Sequence, residues 1–257
     1  MEINKNNYFS TKASMEFFGA SQIKSFLNCE AETMAEIRGE YIREPSTSQL
    51  VGSYVDAHFS REMPEFVVDH PEIFNSRSGA LKADFRKGED IIERIERDPM
   101  MMDYLSGEKQ KIMVGEIFGY PFKIKVDSLL DDRIVDLKVM KDMKPVWTQG
   151  ELKTFVDAWG YDIQGYIYQK IVEYNTGKLL PFYLAVATKE KNIDIGIVEI
   201  PQWKLNAVGG MLKHYLPIFA ELKSGEREPK RCEKCGYCRE TKILDSIIAW
   251  DDLFEKE

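Results

Sequence analysis

Apolar residues recur at helical spacing over the first part of the chain and at strand spacing in the middle, with the switch falling at Lys109. Ile23, Phe26, Leu27 and Met34 predict a helix over 22–38 that carries Cys29 within it, with Ser21 as its N-cap. A second helix is expected over 49–61. Proline and acidic residues then interrupt the pattern and predict a loop over 63–76, followed by a long amphipathic helix over 80–105. Three runs rich in β-branched and apolar residues follow at 110–118, 120–130 and 133–140, separated by Gly119 and by Asp131-Asp132. Breaks that short predict an antiparallel meander. A helix over 151–175 that stops at Gly177, strands over 180–188 and 193–200, and a helix over 202–223 complete the pattern.

Elements in this order predict an α/β (α+β) fold, a mixed central β-sheet flanked by helices. With 257 residues and 44% apolar content, the chain reads as a single domain over 1–257, with a core at about 45–223, an N-terminal helix before it and a cysteine-bearing tail over 224–257. No apolar run reaches the roughly 18 residues of a membrane span. The polar start, Met1 to Lys12, lacks the apolar stretch of a signal peptide, so a cytoplasmic protein with no membrane partner is expected. A net charge of -8 excludes a protein that coats nucleic acid by bulk positive charge. Any nucleic-acid contact has to be local, or bridged by bound cations.

The candidate chemistry sits in the meander. Asp136 and Lys138 alternate on the third run and so share a face, while Leu137 turns to the core. Across the short connection, Asp127 falls within one cation's reach of Asp136. Charges in an otherwise apolar setting are costly unless paired or bound to metal. Carboxylate oxygens suit Mg²⁺ or Mn²⁺, which lowers the pKa of a bound water and neutralises charge developing on a phosphate. A lysine beside it positions that water or stabilises the developing anion. A surface hairpin with an ordinary salt bridge uses the same three residues, so the pattern alone leaves both readings open.

An Asp about ten residues ahead of Asp-X-Lys on adjacent strands resembles the PD-(D/E)XK nuclease core. Gly52-Ser53-Tyr54-Val55-Asp56-Ala57-His58 is similar to the glycine-to-histidine motif of the RecB/RecE branch of that superfamily, and Gln164-Gly165-Tyr166-Ile167-Tyr168 to its Gln-X-X-X-Tyr motif. Val126 stands where the superfamily pattern has proline, but both acids and the lysine are intact. The resemblance implies a restriction-endonuclease-like core and a Mg- or Mn-dependent deoxyribonuclease, exonuclease rather than endonuclease, working in phage or bacterial recombination or repair. It implies His58, Asp127, Asp136 and the Leu137 carbonyl as metal ligands, Lys138 as the catalytic lysine, and Gln164 and Tyr168 as residues that organise the active site and substrate. Glu116, on the first strand, is a candidate additional acid. DNA is the implied partner, together with a recombination or single-strand annealing protein, and the rings formed by RecE-type enzymes imply a homo-oligomer. A nuclease fold that binds DNA without cleaving it and an RNA-directed nuclease remain as alternatives.

Cys232, Cys235 and Cys238 fall within seven residues, a metal-ligand spacing, and Cys29 lies far upstream. One early and three late cysteines resemble the AddB-type and CRISPR-adaptation RecB-like nucleases, which implies a [4Fe-4S] cluster. The gap between the last two cysteines is shorter here than in those relatives, so zinc or reduced thiols stay open. Lys223, Arg227, Lys230, Arg231, Lys234, Arg239 and Lys242 surround the cysteines, as a phosphate-contact surface or as a solvated basic loop.

Overall fold

The computed structural model describes residues 1–148, 150–244 and 246–250; residues 251–257 of the expected tail lie outside the described residues. The N-terminal helices are α1 (Thr11–Glu16), α2 (Ala20–Asn28), α3 (Glu30–Arg38), α4 (Thr47–Ser60), α5 (Met63–Asp69), α6 (Ala83–Glu96) and α7 (Pro99–Tyr104). The meander follows as β1 (Glu108–Ile117), β2 (Tyr120–Leu129) and β3 (Ile134–Met140), then a small hairpin of β4 (Val146–Thr148) and β5 (Glu151–Lys153). The chain continues through α8 (Phe155–Ala158), α9 (Tyr161–Thr176), β6 (Phe182–Thr188), β7 (Ile195–Glu199), α10 (Gln202–Ser224) and α11 (Gly236–Glu240).

The main sheet has the order β1-β2-β3-β6-β7. β3 and β6 run parallel and the other pairs antiparallel, so the sheet is mixed, as the sequence predicts. Each face carries its own core. On one, Phe122, Ile134, Phe182 and Leu184 pack with residues of α2, α9 and α10. On the other, Val135, Leu137, Ala185 and Ala187 pack with Val51, Val55, Ile91 and Ile95 of α4 and α6. These helical residues recur four apart and form one apolar stripe per helix.

Several predicted helices break for identifiable reasons. The helix expected over 22–38 is two: extended backbone at Cys29, at φ -159°, ends α2 and starts α3, and Gly19 rather than Ser21 stands at the N-cap of α2. The helix expected over 80–105 breaks where Asp98 accepts from the Met100 and Met101 amides and Pro99 opens α7. The expected loop over 63–76 contains α5 and a 3₁₀ turn. Residues 151–153 belong to the β4–β5 hairpin, and α9 begins only after Gly160, whose φ of 60° is left-handed. Helix α4 matches its prediction closely, fixed by a capping box between Ser46 and Gln49. Among the described residues no helix is long and apolar enough to cross a membrane.

Candidate active site

The site begins where β2 and β3 part. Their ladder holds only Ser128 against Val135 and Leu129 against Ile134, so Asp127 and Asp136 occupy the first positions past the last paired ones. A second irregularity lies across β2. Gln110 of β1 has a left-handed φ of 50° and interrupts the β1–β2 pairing opposite Asp127 without shifting its register. Parting strands leave the Leu137 amide without a ladder partner, and a side chain supplies one. The Leu137 amide donates to Asp127 Oδ2 at 2.9 Å, and Tyr168 Oη donates to the Lys125 carbonyl at 3.0 Å.

Around this gap lies an open cavity of about 1130 Å³. Asp136 is buried at its head. Its Oδ1 accepts from Gln164 Nε2 at 2.5 Å, and its Oδ2 is ion-paired with Lys138. Lys138 is the one partner that Oδ2 has among the described residues. Gln164 and Tyr168, four apart on α9, thus reach the site from one helix face. That face approaches the sheet because Gly165 has no side chain: a Cβ there would lie 2.7 Å from Phe182 Cδ1 and 2.9 Å from Leu205 Cδ2.

Asp127, Asp136, Leu137, Lys138, Gln164 and Tyr168 all line the cavity, so the structure brings these candidates together. It does not bring His58. The residues of α4 that line the cavity are Ser48, Gln49, Gly52, Ser53 and Asp56. A residue two past Asp56 points about 200° around the helix, and His58 Nε2 there meets Glu96 Oε1 at 2.8 Å instead. Glu116 is also apart, exposed and opposite Pro121 beside the β1–β2 turn. Asp56 is the acid that motif matching passed over. Helical spacing from Gly52 would have found it, since residues four apart share a face.

The charges here oppose one another. Burial, then Asp136 and Asp56, push the Asp127 carboxyl well above the ordinary carboxylate range against the pull of Lys138. Burial likewise raises Asp56 to about 6, with Asp136 adding to it and Lys125 opposing. Burial disfavours the Lys138 ammonium, but Asp136 and Asp127 outweigh it and raise its pKa. Three carboxyls, those of Asp56, Asp127 and Asp136, converge at the head of the cavity around the partly buried Lys138 ammonium. A hard divalent cation fits that donor set. Lysines supply the remaining positive rim: Lys125, Lys141, Lys144 and Lys189 line the cavity, with Phe9 and Trp159 beside them. Lys24 of α2 stands over the Tyr161 ring, 5.4 Å from its centroid, and is lowered to about 8 by burial and by Lys138.

The cysteines lie away from this cavity, but the fold brings all four together, their sulfurs within 4.8 Å of one another. The basic residues near them are largely engaged internally. Lys223 donates to the Phe17 carbonyl and Gln22, Arg227 pairs with Glu221, and Arg231 pairs with Glu233. None of the seven lines the cavity, so that stretch and the candidate active site are separate features.

Residues 19–241 match a family described as a PDDEXK-like domain of unknown function (DUF3799). A crystal structure of a protein from Eubacterium rectale, provisionally named an exonuclease, superposes on this chain with a TM-score of 0.96, covering 100% of both chains at 42% identity. The crystal structure of SSO0001 aligns over 88% of this chain and 98% of its own at 13% identity, but with a TM-score of 0.34, too low to carry weight. No curated protein matches.

Proposed function

We propose, for a chain that belongs to the PDDEXK-like family DUF3799, that its nuclease fold hydrolyses DNA from an end with bound Mg²⁺ or Mn²⁺. The observation that carries this reading is the meeting of Asp127, Asp136 and Lys138 at the parting of β2 from β3, with Asp56 beside them. The cation, when bound, supplies Lewis acidity and a more acidic water. Asp136 and Asp127 are its proposed ligands, with Asp56 rather than His58 as the third acid, and the Leu137 carbonyl is a further candidate at the same strand. Gln164 fixes one oxygen of Asp136 and so orients the carboxylate in the cavity. Lys138, held by that same carboxylate, is placed to orient the attacking water or to neutralise charge on the phosphate. The lysine rim draws the phosphodiester backbone into an otherwise acidic protein.

Action from an end is supported by the provisional exonuclease name of the E. rectale relative. A setting in phage or bacterial recombination or repair follows from the RecB/RecE-like motif order. The test is one assay with end-labelled single-stranded DNA, duplex DNA and RNA, with Mg²⁺ or Mn²⁺ and with chelator. Metal-dependent release of nucleotides from DNA is expected, and its loss in Asp136→Asn. Cleavage confined to RNA, no cleavage at all, or undiminished cleavage by the variant would overturn the proposal.

A further inference from the structure

The chain has a second place that suits a metal, 209 residues of sequence apart at its ends yet closed in space. Cys29 Sγ stands 3.6 Å from Cys238 Sγ and 3.7 Å from Cys235 Sγ, and Cys232 Sγ stands 4.0 Å from Cys238 Sγ. Four thiolates at about 2.3 Å from one tetrahedral zinc ion are separated from one another by about 3.8 Å. In a [4Fe-4S] cluster each thiolate binds a different iron at the corner of a cube, with the inorganic sulfides between, so the four cysteine sulfurs stand much farther apart. The sulfurs here surround room for one ion and not for a cube. The cluster implied by the early-one, late-three order of cysteines does not fit this geometry.

We infer that Cys29, Cys232, Cys235 and Cys238 hold a single structural zinc ion that fastens the C-terminal segment across the α2–α3 junction. The backbone is shaped for it. The extended break at Cys29 turns that side chain out of the helical path, and Glu233, at a left-handed φ of 59°, folds the later three cysteines into one turn. Amides aim at the sulfurs: Glu32 at Cys29, Lys234 and Cys235 at Cys232, and Cys238 at Cys235, all at 3.3–3.4 Å. Such outer contacts orient thiolates and offset their charge. All four positions are taken by protein, Cys29 and Cys238 are buried, and no cysteine lines the active-site cavity, so the site is closed in the manner of a structural zinc.

The packing shows why an ion is needed. The apolar cluster here contains only Cys29, Ala31 and Cys238, with Cys232, Cys235 and Tyr237 against it, too little to hold a segment by burial alone. A backbone link from the Ala31 amide to the Lys230 carbonyl, a bond from the Lys230 amide to the Glu30 carboxylate and a Tyr41–Tyr237 ring contact add to the join. The energy of zinc binding becomes folding energy when the site does not exist in the unfolded chain.

The test is metal and sulfide analysis of the full chain, purified without air from cells given both iron and zinc. One zinc per chain with no sulfide and no visible absorption is expected, together with the spectrum of a four-thiolate tetrahedral site when Co²⁺ replaces zinc. Cys29→Ser and Cys238→Ser should each lose most of the zinc, and trypsin should then cut between residues 225 and 240, where the zinc-loaded chain resists. If either variant does not fold, the cobalt spectrum of the unaltered chain still counts the thiolates. Near-stoichiometric iron and sulfide, no metal at all, a cobalt spectrum of fewer than four thiolates, or zinc kept in full by both variants would overturn the inference.

Discussion

Replacing Asp56 by Asn should make the metal-free protein more stable, although it removes a group that the proposed chemistry needs. Asp56 is half-buried on α4, with its oxygens 3.5 Å from Gln110 Nε2, and its pKa is raised from 3.8 to about 6, first by burial and then by Asp136. A folded-state pKa above the unfolded value means that the folded protein binds the proton more tightly. The penalty is therefore absent below about pH 4, grows between about pH 4 and 6, and is present in full above. A shift of about two units corresponds to about 3 kcal/mol, and to less where water reaches the carboxylate. Asn keeps the shape and removes the charge. Urea unfolding in chelator should show Asp56→Asn more stable by up to about 3 kcal/mol at neutral pH, with the gain vanishing at about pH 4. Added Mn²⁺ should stabilise the unaltered protein more than the variant, because a ligand that binds only the folded state stabilises it in proportion to affinity. A variant that is less stable than the parent at neutral pH, with an unchanged urea slope, would refute the electrostatic account.

Lys138→Ala should lower turnover by about 10²–10⁴-fold while calorimetric titration still shows Mn²⁺ bound; metal lost as fully as in Asp136→Asn would make the lysine a structural partner of the site. His58→Ala should leave cleavage within a few-fold of the parent, whereas Asp56→Ala should lose most of it, and the reverse order would reinstate His58 as the ligand. Gly165→Ala should destabilise the fold by about 1–3 kcal/mol in thermal unfolding, because its Cβ would press on Phe182 and Leu205. An unchanged midpoint would show that α9 can move off the sheet.

The meander and its acids were legible because a strand's alternation is short-range: once 133–140 is a strand, Asp136 and Lys138 must share a face. Strand alternation says nothing of α4, where the helical period puts Asp56 on the cavity side and His58 beside Glu96. The breaks at Cys29 and Gly160 were not legible in the apolar pattern, which runs through them with little change. Each is set by a backbone angle that tertiary contacts hold. Asp98-Pro99 was a legible stop, since proline opens a new helix there. The closure of the cysteine set was half visible: spacing groups the last three, but only the fold places Cys29 on them.

What no local pattern carries is the parting of β2 from β3, and that parting determines how the site must be tested. It leaves the Leu137 amide without a ladder partner, and an unpaired buried backbone group costs about 1–3 kcal/mol. Asp127 fills that place, so it repairs the sheet while standing in the cavity, and Tyr168 ties α9 to β2 at the Lys125 carbonyl. Asp127→Ala therefore removes an acceptor from the backbone as well as a proposed ligand, and its loss of activity would be ambiguous between the two. Asp127→Asn keeps an oxygen for the Leu137 amide and removes only the charge. Asp136 has no such second duty, because its partners are the side chains of Gln164 and Lys138. A charge-only change at Asp136 therefore reads the chemistry, and comparing Ala with Asn at Asp127 separates the contribution of that residue to the sheet from its contribution to the reaction.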